Sequence, residues 1–308
     1  MSGALTLRFT TQAQLDLRRM ASELSDLQRQ VASSQKANDL RGFGAGASRL
    51  LNVQSLRADA DARSSAISQL VSRFGVQSSA LEQVATGAST LANSIRDAVS
   101  SDDGRAIGVD LSLAFSSAVS GLNEKWNGQP LFAGDRTTGE GPIKISSLDQ
   151  LVATTGPDDI FDEAAREQTF DLGSGPPISL ASKASDMATP LFDTLKQLKQ
   201  MLDTAGGELG SPLTGAQRDQ LQTLAAQLDS EANTFTNQEG RAGQLEQRFG
   251  AESTRLTDRS NLLVKEISSQ KDADLAMVSV QLSSLITQYQ AAAKTFSDLS
   301  KLSLLDYL

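Results

Sequence analysis

The chain is 308 residues long, 39% hydrophobic, with a formal net charge of −9 and neither cysteine nor histidine. That length and apolar content suffice for two or more domains with cores of their own. The missing residue types exclude disulfides, thiol nucleophiles, the usual zinc sites and the commonest acid–base catalyst, and the acidic balance argues against nucleic acid as a main partner.

In the opening segment MSGALTLRFTTQAQLDLRRM, Arg8, Asp16, Arg18 and Arg19 interrupt any apolar run of secretory-signal length. A helix is predicted over about 10–34, where Ala13, Leu17, Met20, Leu24, Leu27 and Val31 alternate spacings of four and three. Such 3.5-residue spacing draws one narrow apolar seam, and a seam wants a partner helix. Glycines at 42, 44 and 46 then break the pattern. A long helix follows over about 48–100, with Ile67, Leu70, Phe74, Gln77, Leu81, Val84, Ala88, Leu91, Ile95 and Ala98 on heptad spacing. Ser101-Asp-Asp-Gly104 reads as a turn with an N-cap. The next helix is expected to run to Trp126, with Ile107, Leu111, Ala114, Ala118 and Leu122 on one side, and to stop at a left-handed Gly128.

From Gly128 to about Ala181 the texture changes to proline, glycine and short apolar runs: Ile143-Lys-Ile145, Thr169-Phe-Asp-Leu172 and Ile178-Ser-Leu180. This predicts a small β-rich insert with a short helix near Glu163. Helices resume at Ser185 through Leu191, Leu195, Leu198 and Leu202, and stop at Gly206-Gly207. Thr214 is placed to cap another helix carrying Leu221, Leu224, Leu228 and Phe235, and a further pattern with Leu245, Phe249, Leu256 and Leu263 leads to the last helix.

That last helix repeats the seam with Leu275, Val278, Leu282, Leu285, Tyr289, Ala292, Phe296 and Leu299. No charge occurs between Leu275 and Ala293, but Ser279, Gln281, Ser283, Ser284, Thr287, Gln288 and Gln290 are scattered through it. Those amides and hydroxyls are too costly in hydrocarbon for a membrane span. Two readings stand: an ordinary buried bundle helix, or a helix covered by further copies of the chain.

The expected fold is mainly α: an elongated helical bundle with terminal antiparallel coiled-coil helices and a small β-rich insert. The arm takes 1–40 and 270–308, the bundle 41–127 and 183–269, and the insert 128–182. The two terminal seams together are the candidate assembly interface.

Other motifs favour plain explanations. Gly42-Phe-Gly-Ala-Gly46 lacks the preceding buried strand that a dinucleotide loop needs, so it reads as a joint between arm and bundle. Asp158, Asp159, Asp162 and Glu163 fit no cation-loop spacing and read as a solvated acidic loop. Gly87-Ala-Ser-Thr-Leu91 lacks the second glycine of a nucleophile elbow, and Trp126 reads as a packed anchor. No catalytic, cofactor or metal site is expected.

Three segments carry a resemblance: Gly128-Gln-Pro-Leu-Phe-Ala-Gly134, Lys271-Asp-Ala-Asp-Leu-Ala276, and the ending Leu302-Ser-Leu-Leu-Asp-Tyr-Leu308. With the nested layout, the chain resembles the flagellin superfamily, and within it the branch that joins hook to filament. The likeness covers both ends and the bundle. Ser33-Ser-Gln-Lys-Ala-Asn-Asp39 and the glycine segment after it depart from the family pattern. The resemblance implies a structural subunit, exported unfolded by the flagellar type III apparatus with an export chaperone and without a cleaved signal. It implies an extracellular place in the flagellum, between hook-associated protein 1 and flagellin, in a homo-oligomeric ring or helical lattice. Flagellin itself is the alternative in the same class; a carboxylate-based enzyme on a helical scaffold and a cytoplasmic coiled-coil adaptor are remoter ones.

Overall fold

The computed structural model describes the backbone of residues 2–171 and 177–305 and the side chains of 11–171 and 177–298. The fold is mainly α, in chain order α1 (Ser2–Ser33), a 3₁₀ segment (Leu40–Gly46), α2 (Ala47–Ser101), α3 (Ile107–Leu122), the strands β1 (Lys125–Trp126) and β2 (Gln129–Pro130), α4 (Leu148–Ala153), α5 (Pro157–Ile160), β3 (Thr169–Phe170), β4 (Ile178–Ser179), α6 (Ala184–Thr204), α7 (Gly215–Lys271) and α8 (Leu275–Leu305). It forms two compact units: unit 1 is residues 1–63 with 255–308, and unit 2 is residues 64–254. The long helices α2 and α7 contribute to both.

Unit 2 holds the main core. All ten heptad positions of α2 from Ile67 to Ala98 are buried, as are Ile107, Leu111, Ala114, Ala118 and Leu122 of α3. From Leu81 onward these α2 positions, with those of α3, meet Leu191, Leu195, Leu198 and Leu202 of α6 and Leu221, Leu224, Leu228 and Phe235 of α7. Each such fully buried aliphatic or aromatic side chain is worth about 1.5–3 kcal/mol against leaving it in water. Helices α2 and α3 approach closely where glycine allows: a Cβ on Gly121 would stand 2.7 Å from the Ala80 carbonyl oxygen and 2.8 Å from a Val84 methyl. The ends are capped locally. Gly207 donates its N–H to the Leu202 carbonyl at 2.8 Å to close α6. At the start of α7, the Gln217 N–H donates to the Thr214 hydroxyl while the Gln217 side chain accepts from the Thr214 N–H, a reciprocal capping box.

Helix α3 ends at Leu122, short of Trp126, because Asn127 and Gly128 have φ of 50° and 78° and make a two-residue hairpin turn. Trp126 therefore lies in β1, paired with Gln129, and packs half-buried on the core. Leu131, Phe132 and Ala133 follow it inward at 2% exposure or less. The Phe132 carbonyl accepts from the first N–H of α6 (Ala184, 2.9 Å), and Ala133 accepts from Ala164. Gly134 has φ +65°, and a Cβ there would lie 2.4 Å from the Arg166 carbonyl oxygen, so the motif ends on a position only glycine fits.

The insert has less strand than its sequence suggests. Ile143 makes a single bridge to Phe161 in place of a strand over 143–145, and each sheet has two strands of two residues. Residue 172, the end of one expected strand, lies outside the described residues. The short helices fall at Leu148 and Pro157, not near Glu163: Ser147 caps α4, and Pro157 opens α5, where the Asp159 carboxylate accepts from the Thr155 and Gly156 N–H groups. Glu163 instead accepts from Ser185 and pairs with Lys183. Two ring clusters tie the insert down. Phe192 of α6 meets Phe115 and Phe161 edge-on at 6.3 and 5.8 Å, and Phe249 of α7 stacks on Phe74 at 5.5 Å and meets Phe170 at 6.3 Å.

Candidate assembly surface

Unit 1 is built from α1, the 3₁₀ segment, the start of α2, the end of α7, and α8. Its joint is a short backbone ladder. The Lys36 N–H donates to the Lys271 carbonyl at 2.8 Å, Ala273 donates to Ser34 at 3.0 Å, and Gln35 bridges Asp272 in antiparallel sense. The Lys36 ammonium adds bonds to the carbonyls of Ser269 and Gln270 at 2.7 and 3.1 Å, just where α7 ends and carbonyls lack helical partners. Asp274 starts α8 by accepting from the N–H groups of Ala276 and Met277 at 3.1 Å. The Lys271–Ala276 motif is thus a helix break and restart, and it sets the end of α1 beside the start of α8, so these helices run antiparallel.

The glycine segment is a tight turn. Asp39 accepts from the Gly42 N–H at 2.9 Å, and a Cβ on Gly42 would stand 2.3 Å from that of Ala37. Gly44, at φ +53° and ψ −127°, breaks the helical path inside it. The element before it is the helix α1.

The heptad seams meet each other within the chain. Leu27, Val278 and Leu285 are buried together, with Met20, Leu24 and Leu282 packed against them half-buried. Ala13, Leu17, Tyr289, Ala292 and Phe296 are half-buried, whereas Val31 and Leu275, at the joint, are exposed. The side chain of Leu299 and residues 306–308, with the Tyr-Leu ending, lie outside the described residues.

Most of the apolar surface that unit 1 leaves exposed lies off the seam. Among the described residues, eleven of the thirteen large apolar side chains that are exposed belong to it: Leu15, Val31, Leu40, Leu51, Leu56, Leu262, Val264, Leu275, Met277, Val280 and Ile286. Val280 is 70% and Met277 58% exposed. The polar groups beside them make few demands on water. Ser283 donates to the Ser279 carbonyl at 3.0 Å, Thr287 to Ser283 at 3.0 Å, and Gln288 to the Ser284 hydroxyl at 3.2 Å. A helix face that is uncharged, apolar in places and hydrogen-bonded to itself loses little by being covered. The outer face of α1 differs, carrying Arg18, Arg19, Glu23 and an Asp26–Arg29 ion pair.

The seams were legible because burial imposes a period. The off-seam positions Leu15, Met277 and Val280 were missed, since an exposed apolar residue has no period to betray it; the signal available was the long absence of charge in α8.

The other candidates resolve into structural roles. Asp159 caps a helix, with its carboxyl held below the usual range chiefly by hydrogen bonds from Thr155. Asp162 pairs with Arg136. Among the described residues no three His, Cys, Asp or Glu side chains converge as a metal site, and no helix is long and apolar enough to cross a membrane.

Residues 225–308, which hold most of α7 and all of α8, match the family described as the bacterial flagellin C-terminal helical region. The C-terminal part of the chain is thus of flagellin type. Among solved structures it is similar to FlgL of Bacillus cereus, with a TM-score of 0.57 and 16% identity over 70% of this chain and 99% of that one. It is likewise similar to a putative flagellar hook-associated protein from Vibrio parahaemolyticus, with a TM-score of 0.55 and 13% identity over 76% of this chain and 99% of that one. At these identities the two structures speak for the fold: the mainly α flagellin-like architecture recurs over nearly their whole length. No curated protein sequence matches the chain.

Proposed function

We propose that this chain belongs to the flagellin superfamily and is a hook–filament junction subunit of the hook-associated protein 3 type, assembled with copies of itself through unit 1. The observation that carries the reading is the concentration of exposed apolar side chains on unit 1, beside a C-terminal segment of flagellin type. A monomer gains nothing from keeping Met277, Val280 and Ile286 in water; a ring or helical lattice of copies would cover them. The likeness to two hook-associated structures, over 99% of each, supports the junction role over other members of the superfamily. On this reading the neighbours are hook-associated protein 1 on one side and flagellin on the other, and the subunit reaches them unfolded, with an export chaperone, through the type III apparatus.

The test is genetic and biochemical. A strain lacking this gene should make hooks without filaments and lose flagellin to the medium, and the wild-type gene should restore filaments. The alternative reading, flagellin itself, is favoured by the family matched at the C-terminus. It predicts that the purified protein grows long filaments on seeding and that the deletion leaves no secreted subunit in the medium.

A further inference from the structure

We propose that Glu231 is a protonation-controlled latch in unit 2, tying α7 to α6 when it carries a proton and loosening that seam when it does not. Glu231 is 8% exposed, and Thr194, facing it from α6, is 3% exposed. The Thr194 hydroxyl donates to Oε1 of Glu231 at 2.7 Å. The other carboxyl oxygen, Oε2, is buried with no hydrogen-bond partner. A buried carboxylate normally gathers two or three donors or a cation, and this one has a single hydroxyl.

The surrounding charges do not rescue it. From α6 the nearby Asp193 adds repulsion, and Lys196 gives its ammonium to the Thr154 carbonyl. Arg96 of α2 pairs with Asp229, two residues before Glu231 on α7. The residues three and four positions away on α7 itself are Gln227, Leu228, Thr234 and Phe235, none of them charged. Among the described residues no cation pairs with Glu231. Burial, first, and Asp193 raise its pKa to about 7, against the opposing Thr194 hydrogen bond.

The sign follows from linkage. The group binds its proton more tightly in the folded than in the unfolded chain, where its value is the ordinary 4.5. Its contribution is therefore full below about pH 4.5, falls as pH rises toward 7, and is flat beyond. A shift of that size corresponds to roughly 10²-fold in the folding equilibrium. Nothing in this inference depends on the flagellar role.

The experiment uses the full chain, unfolded by denaturant between pH 4 and 8.5 and followed by the fluorescence of Trp126, the single tryptophan, which sits in unit 2. The folding constant of Glu231→Gln relative to wild type should rise about 10²-fold from pH 4.5 to 7.5 and then level. In parallel, carboxyl NMR of the wild-type protein should show Glu231 titrating near neutrality, and Thr194→Val should move that midpoint upward by removing the one donor. A Glu231→Gln ratio that does not change with pH, or a Glu231 midpoint at the ordinary glutamate value, overturns the latch. If Glu231→Gln does not fold, the NMR midpoint decides alone.

Discussion

Units 1 and 2 share the helices α2 and α7, yet they treat apolar side chains in opposite ways. Unit 2 packs Phe74, Phe192, Phe235 and Phe249 at 1% exposure or less and, among the described residues, leaves only Val109 and Leu113 of its large apolar side chains in water. Among the described residues, unit 1 buries few apolar side chains, Leu27, Leu50, Val278 and Leu285 among them, and exposes eleven large ones. Fixing a residue costs about 1–2 kcal/mol of backbone entropy, which a deep core offsets and a two-helix seam offsets poorly. The lesson is that unit 2 contains the reasons for its own fold, while on the proposed assembly much of the reason for unit 1 would lie on other molecules.

The sharpest way to break this contrast is a charge on the exposed face of α8. Val280→Lys or Ser283→Lys should leave the unfolding of unit 2 within about 0.5 kcal/mol of wild type, because both sites are exposed. In an assembly, the same lysine would be buried without a partner at about several kcal/mol per interface. Incorporation into flagella, read by motility and immunolabelling in a strain lacking the native gene, should fall to background. Gln244→Lys, exposed on the unit 2 part of α7, should incorporate normally; equal incorporation of all three variants would break the comparison.

In unit 2 the largest effects should come from the ring clusters. Phe192→Ala empties the site between Phe115 and Phe161 and should destabilise the unit by about 3–5 kcal/mol in denaturant titration. Gly134→Ala forces a side chain into a left-handed backbone against the Arg166 carbonyl. It should cost about 1–3 kcal/mol and loosen the insert, seen as faster proteolysis between α3 and α6. The smallest effect is at the capping box, where Thr214→Ala should cost about 1 kcal/mol. A Phe192→Ala protein as stable as wild type would show that unit 2 is held by something other than this core.

How much of this was legible depended on period. The ten heptad positions from Ile67 to Ala98 are buried, and Thr214 caps its helix as its sequence suggests, because a helix core must repeat and a cap is a local hydrogen bond. The insert was less readable. Ile143-Lys-Ile145 has strand-like residues but forms one bridge, and helices start at Leu148 and Pro157 because Ser147 and Asp159 cap them. Asn127-Gly128 ended α3 earlier than hydrophobic spacing implied, since a turn requiring two positive φ angles outweighs about one more turn of helix. Glu231 gave no sequence signal, as a single glutamate on an amphipathic helix looks solvent-facing until the partner helix is in place.

The most direct test of the central contrast is hydrogen–deuterium exchange on the purified monomer and on assembled flagella. The account predicts that the amides of unit 2 in α2, α3 and α6 are strongly protected in both. Those of α1 from Thr11 to Ser33 and of α8 from Leu275 to Asp298 should exchange quickly in the monomer and become protected only in the assembly. Equal, strong protection of α1 and α8 in both states would mean that unit 1 is complete on its own, and would contradict the account.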